Sequence, residues 1–341
     1  MRAVPLIRAA SSLTVVRFLA SAGAPAASAW ERAGLPRRAL DEPEHLVPLR
    51  SLCRFVEDGA RTQGIEDLGL RSGEQTAVEM LGTFGATVRG ARTLADALHT
   101  SATAVASYSS TESFWVAVRG DRARFCQRFS DASVTSPHID LFSAAVMINL
   151  LRLAGDDWTP SRIELQSRGP YTLRERGVVA DAEIVAGRPV TSVEFPRALL
   201  HRRLAPAPAT VAARPPTGLT EWQRSAPPRD FLRSFEVLLT GLIQADRADV
   251  HSAADAAGST VRSLQRRLGE CGWTWSDLLD DVRRRTALRM LDDPSARIID
   301  VALAVGYSDP AHFTRAFRRW CGTSPAEHRS RRAAGQASAH A

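Results

Sequence analysis

The 341-residue sequence contains no lysine: all 44 of its Lys-or-Arg positions are arginine. Together with the abundance of alanine, this bias reads as the imprint of a GC-rich genome rather than as a functional device. Cysteine is scarce. Cys53, Cys126, Cys271 and Cys321 are widely separated, and none forms a C-x-x-C pair or a Cys/His cluster with zinc spacing. A disulfide framework and a zinc finger are therefore excluded, and reduced thiols are expected in a reducing compartment. Long apolar runs are missing as well. No segment reaches the ~18 apolar residues of a membrane span. Near the start, Arg8 and Arg17 break the stretch that a secretory leader would need as an apolar core of roughly 7–15 residues. A cytoplasmic protein with no membrane partner is expected. No G-x-S-x-G, H-E-x-x-H or Walker loop occurs, so no enzyme activity, metal or cofactor is expected.

Apolar residues at 44% and charged residues at 24% are ordinary for globular chains, and the length suffices for two domains. The net charge of +7 favours an anionic partner, though weakly by itself. The clearest boundary is Ala205–Arg229, where repeated prolines remove amide donors and disfavour helix before them. The expected organisation is residues 1–204 as one domain, 205–229 as a semi-rigid linker, 230–332 as a second domain and 333–341 as a tail.

The first domain mixes signals. Ser12–Ala22, Leu46–Gln63, Ser72–Arg89 and Thr93–Ser107 show helical periodicity, with breaks at Gly23, Gly64, Gly69 and Gly90. Ser113–Arg119 and Arg122–Phe129 flank Gly120-Asp121 and predict a β-hairpin. Asp140–Leu153 is apolar nearly all round, which fits a buried helix or a subunit contact. Arg162–Ser167, Ala182–Val185 and Thr191–Phe195 are strand candidates, and the whole reads as an α+β domain. The second domain reads as all-α, with helices at Phe231–Ala245, Asp249–Ala257, Val261–Cys271, Trp275–Leu291, Ile298–Val305 and Pro310–Cys321. A last helix follows the cap residue Ser324.

Within that domain one pattern occurs twice, at Ala256–Leu268 and at Val305–Phe317. Each copy has a small apolar helix tail, a Gly, a polar cap (Thr260 or Asp309) and a second helix. A Gly between two short helices supplies the turn of a helix-turn-helix. Leu264/Leu268 and Phe313/Phe317 are i, i+4 pairs facing inward. The opposite faces carry Arg262, Gln265 and Arg266 in the first copy, and Ala311, Thr314 and Arg315 in the second. Arg suits guanine, Gln suits adenine, and Thr offers a hydroxyl or a methyl. Ala311 can only pack against a thymine methyl, so the second copy should specify fewer bases. Helices 261–271 and 310–321 are therefore expected to read two successive major grooves of double-stranded DNA. Arg283–Arg285, Arg318-Arg319, Arg329, Arg331 and Arg332 could meet phosphates, but solvated faces and a frayed end are the plainer readings.

Residues from about Val250 to Arg329 resemble the DNA-binding domain of AraC/XylS transcription regulators. The matching stretches are R-S-L-Q-R-R-L (Arg262–Leu268), D-V-R-R-R-T-A-L-R-M-L (Asp281–Leu291), I-I-D-V-A-L-A-V-G-Y-S-D (Ile298–Asp309) and F-T-R-A-F-R-R-W-C-G-T-S-P (Phe313–Pro325). Two departures from the pattern, Ala257 and Ser259, thin the packing of the first copy. The N-terminal part resembles the arabinose-binding-like effector half of a catabolic-regulator subgroup. Its echoes are Gly34–Pro36, Leu68–Gly73, Thr93–Leu98 and Trp158–Leu165. The resemblance implies a ligand-responsive activator with an unknown small-molecule effector. It further implies a dimerising N-terminal half, contact with RNA polymerase and a nucleoid-associated location. Trp115, Arg119, His138 and Tyr171 have the chemistry to line a pocket, although core or surface roles suit each better. DNA alkyl-repair enzymes carry a similar DNA-binding module, but neither S-L-C-R-F at Cys53 nor R-F-C-Q-R at Cys126 matches their P-C-H-R nucleophile. A ligand-independent architectural protein is the third reading, and the large α+β domain argues against it.

Overall fold

The structure, a computed structural model, describes residues 2–131, 134–169, 171, 177–179, 181–205 and 218–331. Two compact units emerge, one spanning Ala3–Arg229 and the other formed mainly by the chain from Asp230 onward.

The first unit opens with a short strand β1 (Leu6–Arg8), then helices α1 (Leu13–Ser21) and α2 (Ala26–Arg32). β1 pairs antiparallel with β2 (Leu46–Pro48), so the expected helix over Leu46–Gln63 gives up its first three residues to a strand. Helix α3 (Leu49–Gln63) follows and ends on Gly64 in the left-handed region. The expected helix Ser72–Arg89 is two helices, α4 (Leu68–Glu74) and α5 (Gly82–Arg89), joined through a 3₁₀ turn at Val78–Leu81. Gly69 lies inside α4 and is not a break. Its role is proximity: a Cβ there would fall 2.0 Å from the carbonyl oxygen of His138, and one on Gly73 would fall 2.8 Å from that of Phe142. Both carbonyls belong to α7 (Pro137–Arg152), so the missing side chains let two helix backbones meet.

Helix α6 (Leu94–Tyr108) starts from a capping box, with Thr93 accepting from the Asp96 amide while the Asp96 carboxylate accepts from the Thr93 amide. The hairpin β3 (Glu112–Arg119) and β4 (Arg122–Phe129) turns at Gly120-Asp121 as expected. Strands β5 (Arg162–Glu164), β6 (Glu183–Val185) and β7 (Thr191–Pro196) complete a five-stranded sheet in the order β3-β4-β7-β5-β6. All its pairings are antiparallel except β5 with β6. The inward face presents Phe125, Ile163, Val193 and Phe195, each at most 1% exposed. Helix α7 is capped by Ser136 and buries Leu141, Ala144, Ala145 and Ile148 within its own unit. Between the two readings of that apolar segment, this placement supports the buried helix.

A further correction concerns the proline-rich segment. Residues 206–217 lie outside the described residues, but α8 (Leu219–Arg224) is a helix in place of the expected semi-rigid linker. Trp222, 1% exposed, packs in the core of the first unit. The buried Arg8 guanidinium donates to the carbonyls of Trp222 (3.0 Å) and Ser225 (2.9 Å), while the Trp222 indole donates to Glu44 at 2.7 Å.

The second unit is built from α9 (Phe231–Gln244), α10 (Val250–Ala256), α11 (Val261–Glu270), α12 (Trp275–Leu291), α13 (Ile298–Ala304) and α14 (Pro310–Cys321). Residues 325–331 are also helical, begun by a reciprocal pair between Ser324 and Glu327. Helix α12 packs on α9 and also against α13 and α14. Arg332 and the tail 333–341 lie outside the described residues. No helix among the described residues is long and apolar enough to cross a membrane.

Candidate nucleic-acid interface

The two repeated patterns fold into the same local structure. After α10, Gly258 takes φ +64°, and after α13, Gly306 takes φ +77°. In each copy the glycine amide bonds back three residues, Gly258 to Asp255 (2.9 Å) and Gly306 to Leu303 (3.0 Å). The next amide bonds back five, Ser259 to Ala254 (2.8 Å) and Tyr307 to Ala302 (2.9 Å). This is the Schellman closure of a helix, and its left-handed residue explains a glycine at both positions. The chain then re-enters helix through a cap. Thr260 Oγ1 accepts from the Ser263 amide at 3.2 Å, and Asp309 Oδ1 accepts from the Ala311 amide at 2.8 Å.

Packing sets the rotation of each second helix. Leu264, Leu268, Phe313 and Phe317 are all completely buried. Phe313 and Phe317 meet edge to face at 5.7 Å and sit in a small core with Ala287, Leu291, Val301 and Val305. Around the first copy, Ala253, Ala254, Ala256 and Ala257 are all buried, so the inward face of α10 is made of small side chains.

With those residues inward, Arg262, Gln265 and Arg266 face solvent on α11, and Ala311 and Arg315 face solvent on α14. Thr314 is half-buried and its hydroxyl donates to the Pro310 carbonyl at 2.9 Å. Among the described residues, no hydrogen bond or ion pair engages Arg262, Gln265 or Arg315, and Arg266 only approaches Glu270 at 3.9 Å. Unpaired guanidiniums on the exposed faces of α11 and α14 are chemically free to meet base edges or phosphates.

Several other arginines are committed elsewhere. Arg267 lies over the Phe231 ring at 3.8 Å, and burial lowers its pKa from the usual value. Arg285 pairs with Glu236 (2.8 Å) and Asp281 (2.9 Å), Arg284 with Asp281 (2.6 Å), and Arg319 with Asp280 (2.7 Å). Arg283 stacks on Tyr307 at 5.0 Å, and Arg329 donates to the Ala296 carbonyl at 2.6 Å. The basic run on α12 and part of the C-terminal cluster are thus tied into the unit's own structure.

Sequence reasoning missed His312. It is exposed in the first turn of α14, at the position matching Ser263, with Nε2 3.5 Å from Asp309. Its place in the first turn, beside the cap residue, was the signal available. In the first unit, none of Trp115, Arg119, His138 and Tyr171 lines the cavity found there. Trp115 is 37% exposed on the outer face of the sheet. Tyr171 donates to Ser167 O at 3.2 Å and reaches Asp140 at 3.5 Å, and His138 Nδ1 is 3.5 Å from the Gly69 amide, so the last two are internal struts.

Comparison with known proteins identifies the domains. Residues 23–204 match the family described as the arabinose-binding domain of AraC transcription regulators, and residues 253–331 match a helix-turn-helix domain family. The chain is 26% identical over 341 residues to the HTH-type transcriptional regulator VirS of Mycobacterium tuberculosis, covering 95% of this chain and 96% of that protein. It is 39% identical over 84 residues to the ornithine utilization regulator of Pseudomonas aeruginosa, a match spanning 25% of each. Among solved structures, transcriptional regulator CdpR from Pseudomonas aeruginosa aligns over 77% of this chain and 86% of that one, at 23% identity and a TM-score of 0.32. With an AraC-type N-terminal domain over more than half its length and a helix-turn-helix domain after it, the chain belongs to the AraC family of transcription regulators and is a DNA-binding regulator with an effector-binding domain.

Proposed function

We propose that this regulator is a ligand-responsive activator whose α11 and α14 enter two successive major grooves from one protomer. In this reading Arg262, Gln265 and Arg266 specify bases in the first groove. Arg315 and Thr314 specify bases in the second, where Ala311 packs on a thymine methyl. The single observation that carries the reading is the equivalence of the two second helices: matching turns, matching caps, and partnerless Arg262 and Arg315 facing solvent. Phosphate contacts position the module, and Arg318, exposed one turn beyond Arg315, is suited to that. Contact with RNA polymerase, pairing into a homodimer, and a cytoplasmic, nucleoid-bound location belong to the same proposal. So does the absence of enzyme activity. Burial pushes the Cys53 thiol up to about 12 and the Cys126 thiol up to about 11, which opposes the thiolate that alkyl transfer needs.

Footprinting tests the reading on a duplex that the protein itself selects from a random library. Protection of two adjacent major grooves per protomer is expected, and protection confined to one groove would remove α14 or α11 from base reading.

A further inference from the structure

Inside the first unit lies a cavity of about 90 Å³, bounded by the inner face of the β3–β4 hairpin and by α3, α6 and α7. Its wall is mainly apolar, with Val15, Leu52, Phe84, Phe114, Phe125 and Met147 prominent. Phe114 stacks on Phe125 at 5.4 Å, and Phe84 lies 4.8 Å from the Tyr108 ring, so much of the wall is aromatic.

The strand register creates one polar corner. Glu112 faces Phe129 across the hairpin and Phe114 faces Gln127, which puts both polar side chains on the inward face. Gln127, 4% exposed, donates through Nε2 to Glu112 at 3.1 Å, and its own carbonyl oxygen has no partner. The Tyr108 hydroxyl, also buried, has no well-formed hydrogen bond, although Ser11 sits beside it. Ser12 and Ser101 also line the cavity, but their hydroxyls donate to the Ala9 and Ala97 carbonyls at 2.9 Å. Among the described residues, no arginine, lysine or histidine borders the space.

Buried polar groups are ordinarily satisfied, so the orphaned Gln127 carbonyl oxygen on the cavity wall points to what the cavity takes. The corner offers the Gln127 oxygen and the remaining lone pairs of the Glu112 carboxylate, which already accepts from Gln127 and Ser109, and the Tyr108 hydroxyl beside them can accept as well as donate. It therefore calls for a ligand head that donates more than one hydrogen bond, and it repels an anionic head. A sugar, with hydroxyls on every side, would leave most of them unpaired against this wall.

We propose that this cavity is the effector site and that its ligand is a small primary amine, with the ammonium held between the Glu112 carboxylate and the Gln127 carbonyl oxygen and a hydrocarbon body packed on the aromatic wall. The proposal rests on the ligand-responsive reading above. An apolar cavity of about 150 Å³ takes the six carbons of benzene, so the space here suits a ligand of roughly four non-hydrogen atoms. Part of the Glu112 surface borders the cavity, and burial pushes its carboxyl up to about 7. An ammonium seated beside it restores the charged form, and the resulting charge-assisted contact is stronger than any neutral alternative in the same place.

Thermal denaturation of the full chain at pH 8 tests this with three probes of one chain length: propylamine, propanol and propanoate. Propylamine should raise the melting temperature saturably and bind roughly tenfold or more tighter than propanol, with no shift from propanoate. In Glu112→Gln that advantage of the amine over the alcohol should vanish. Propanoate matching propylamine, an undiminished amine preference in the variant, or no binding by any probe would each overturn the proposal. The wild-type series alone suffices if the variant fails to melt cooperatively. Retention of the selected duplex, measured with and without propylamine, separates the two readings. Amine binding that leaves DNA binding unchanged keeps the site but removes its regulatory role. A DNA response to propanol or propanoate but not to propylamine keeps the regulator and discards the amine.

Discussion

Gln127 donates its side-chain amide to Glu112 at 3.1 Å between adjacent strands, and both side chains border a cavity floored by Phe114 and Phe125. A carboxylate is held there in a place that water serves poorly. Three of its consequences lie in stability, in ligand choice and in the register that the hairpin must keep. A one-residue slip would turn Glu112 and Gln127 to the outer face.

The first prediction concerns pH. Burial raises the Glu112 carboxyl from its ordinary value near 4.5 to about 7, so between those values the folded chain holds a proton that the unfolded chain has released. Stability therefore falls as pH rises from about 4.5 to 7 and stays lower above that. Glu112→Gln should flatten this slope and stabilise the first unit at pH 8 by about 2–3 kcal/mol. Urea denaturation at pH 5 and pH 8 measures it, and an equal slope in both proteins would refute the assignment.

Base reading gives the second. Arg262→Ala, Arg266→Ala and Arg315→Ala should each cost about 1–3 kcal/mol of specific DNA affinity and relax one base position. Arg285→Ala should instead act through stability, since its guanidinium is tied to Glu236 and Asp281. Competition between selected and scrambled duplexes distinguishes the two outcomes.

The third is a core effect. Phe313 is completely buried and touches Tyr307 and Phe317 at 6.0 and 5.7 Å between ring centres. Phe313→Ala should destabilise the second unit by about 3–5 kcal/mol. Amide exchange should rise across α13 and α14 and stay unchanged in the hairpin β3–β4.

The fourth tests the corrected boundary. Arg8 is 2% exposed, donates to the carbonyls of Ser107, Glu44, Trp222 and Ser225, and lies 3.4 Å from the Glu44 carboxylate. Arg8→Met removes those donors and leaves the carbonyls and Glu44 buried without them, a loss of about 3–5 kcal/mol. Helix α8 should loosen first, so cleavage by a glutamate-specific protease after Glu221 should accelerate. Cleavage at the wild-type rate would show that α8 holds its place without Arg8.

The double helix-turn-helix was legible because its signals are local. A glycine that takes positive φ, a cap oxygen and i, i+4 apolar pairs all lie within about a dozen residues, and the same was true of the hairpin around Gly120-Asp121. Strand β1 and helix α8 were not legible. A three-residue strand, Leu6-Ile7-Arg8, is too short to show a period, and a helix framed by prolines looks like a linker until Trp222 finds the core. Gly69 misled for the same reason, since it serves a neighbour 69 residues further along the chain.

Chain-local chemistry thus determined the reading module: where its helices start and stop, and which faces turn outward. Tertiary structure alone decided the effector half. Glu112 and Gln127 are 15 residues apart and unremarkable in the chain, and only strand pairing beneath α3, α6 and α7 makes them one acceptor corner in an apolar cavity. The physical reason is range. Turns and caps are satisfied by neighbours in sequence, whereas burial and its cost to a carboxylate depend on which distant surfaces the fold brings together.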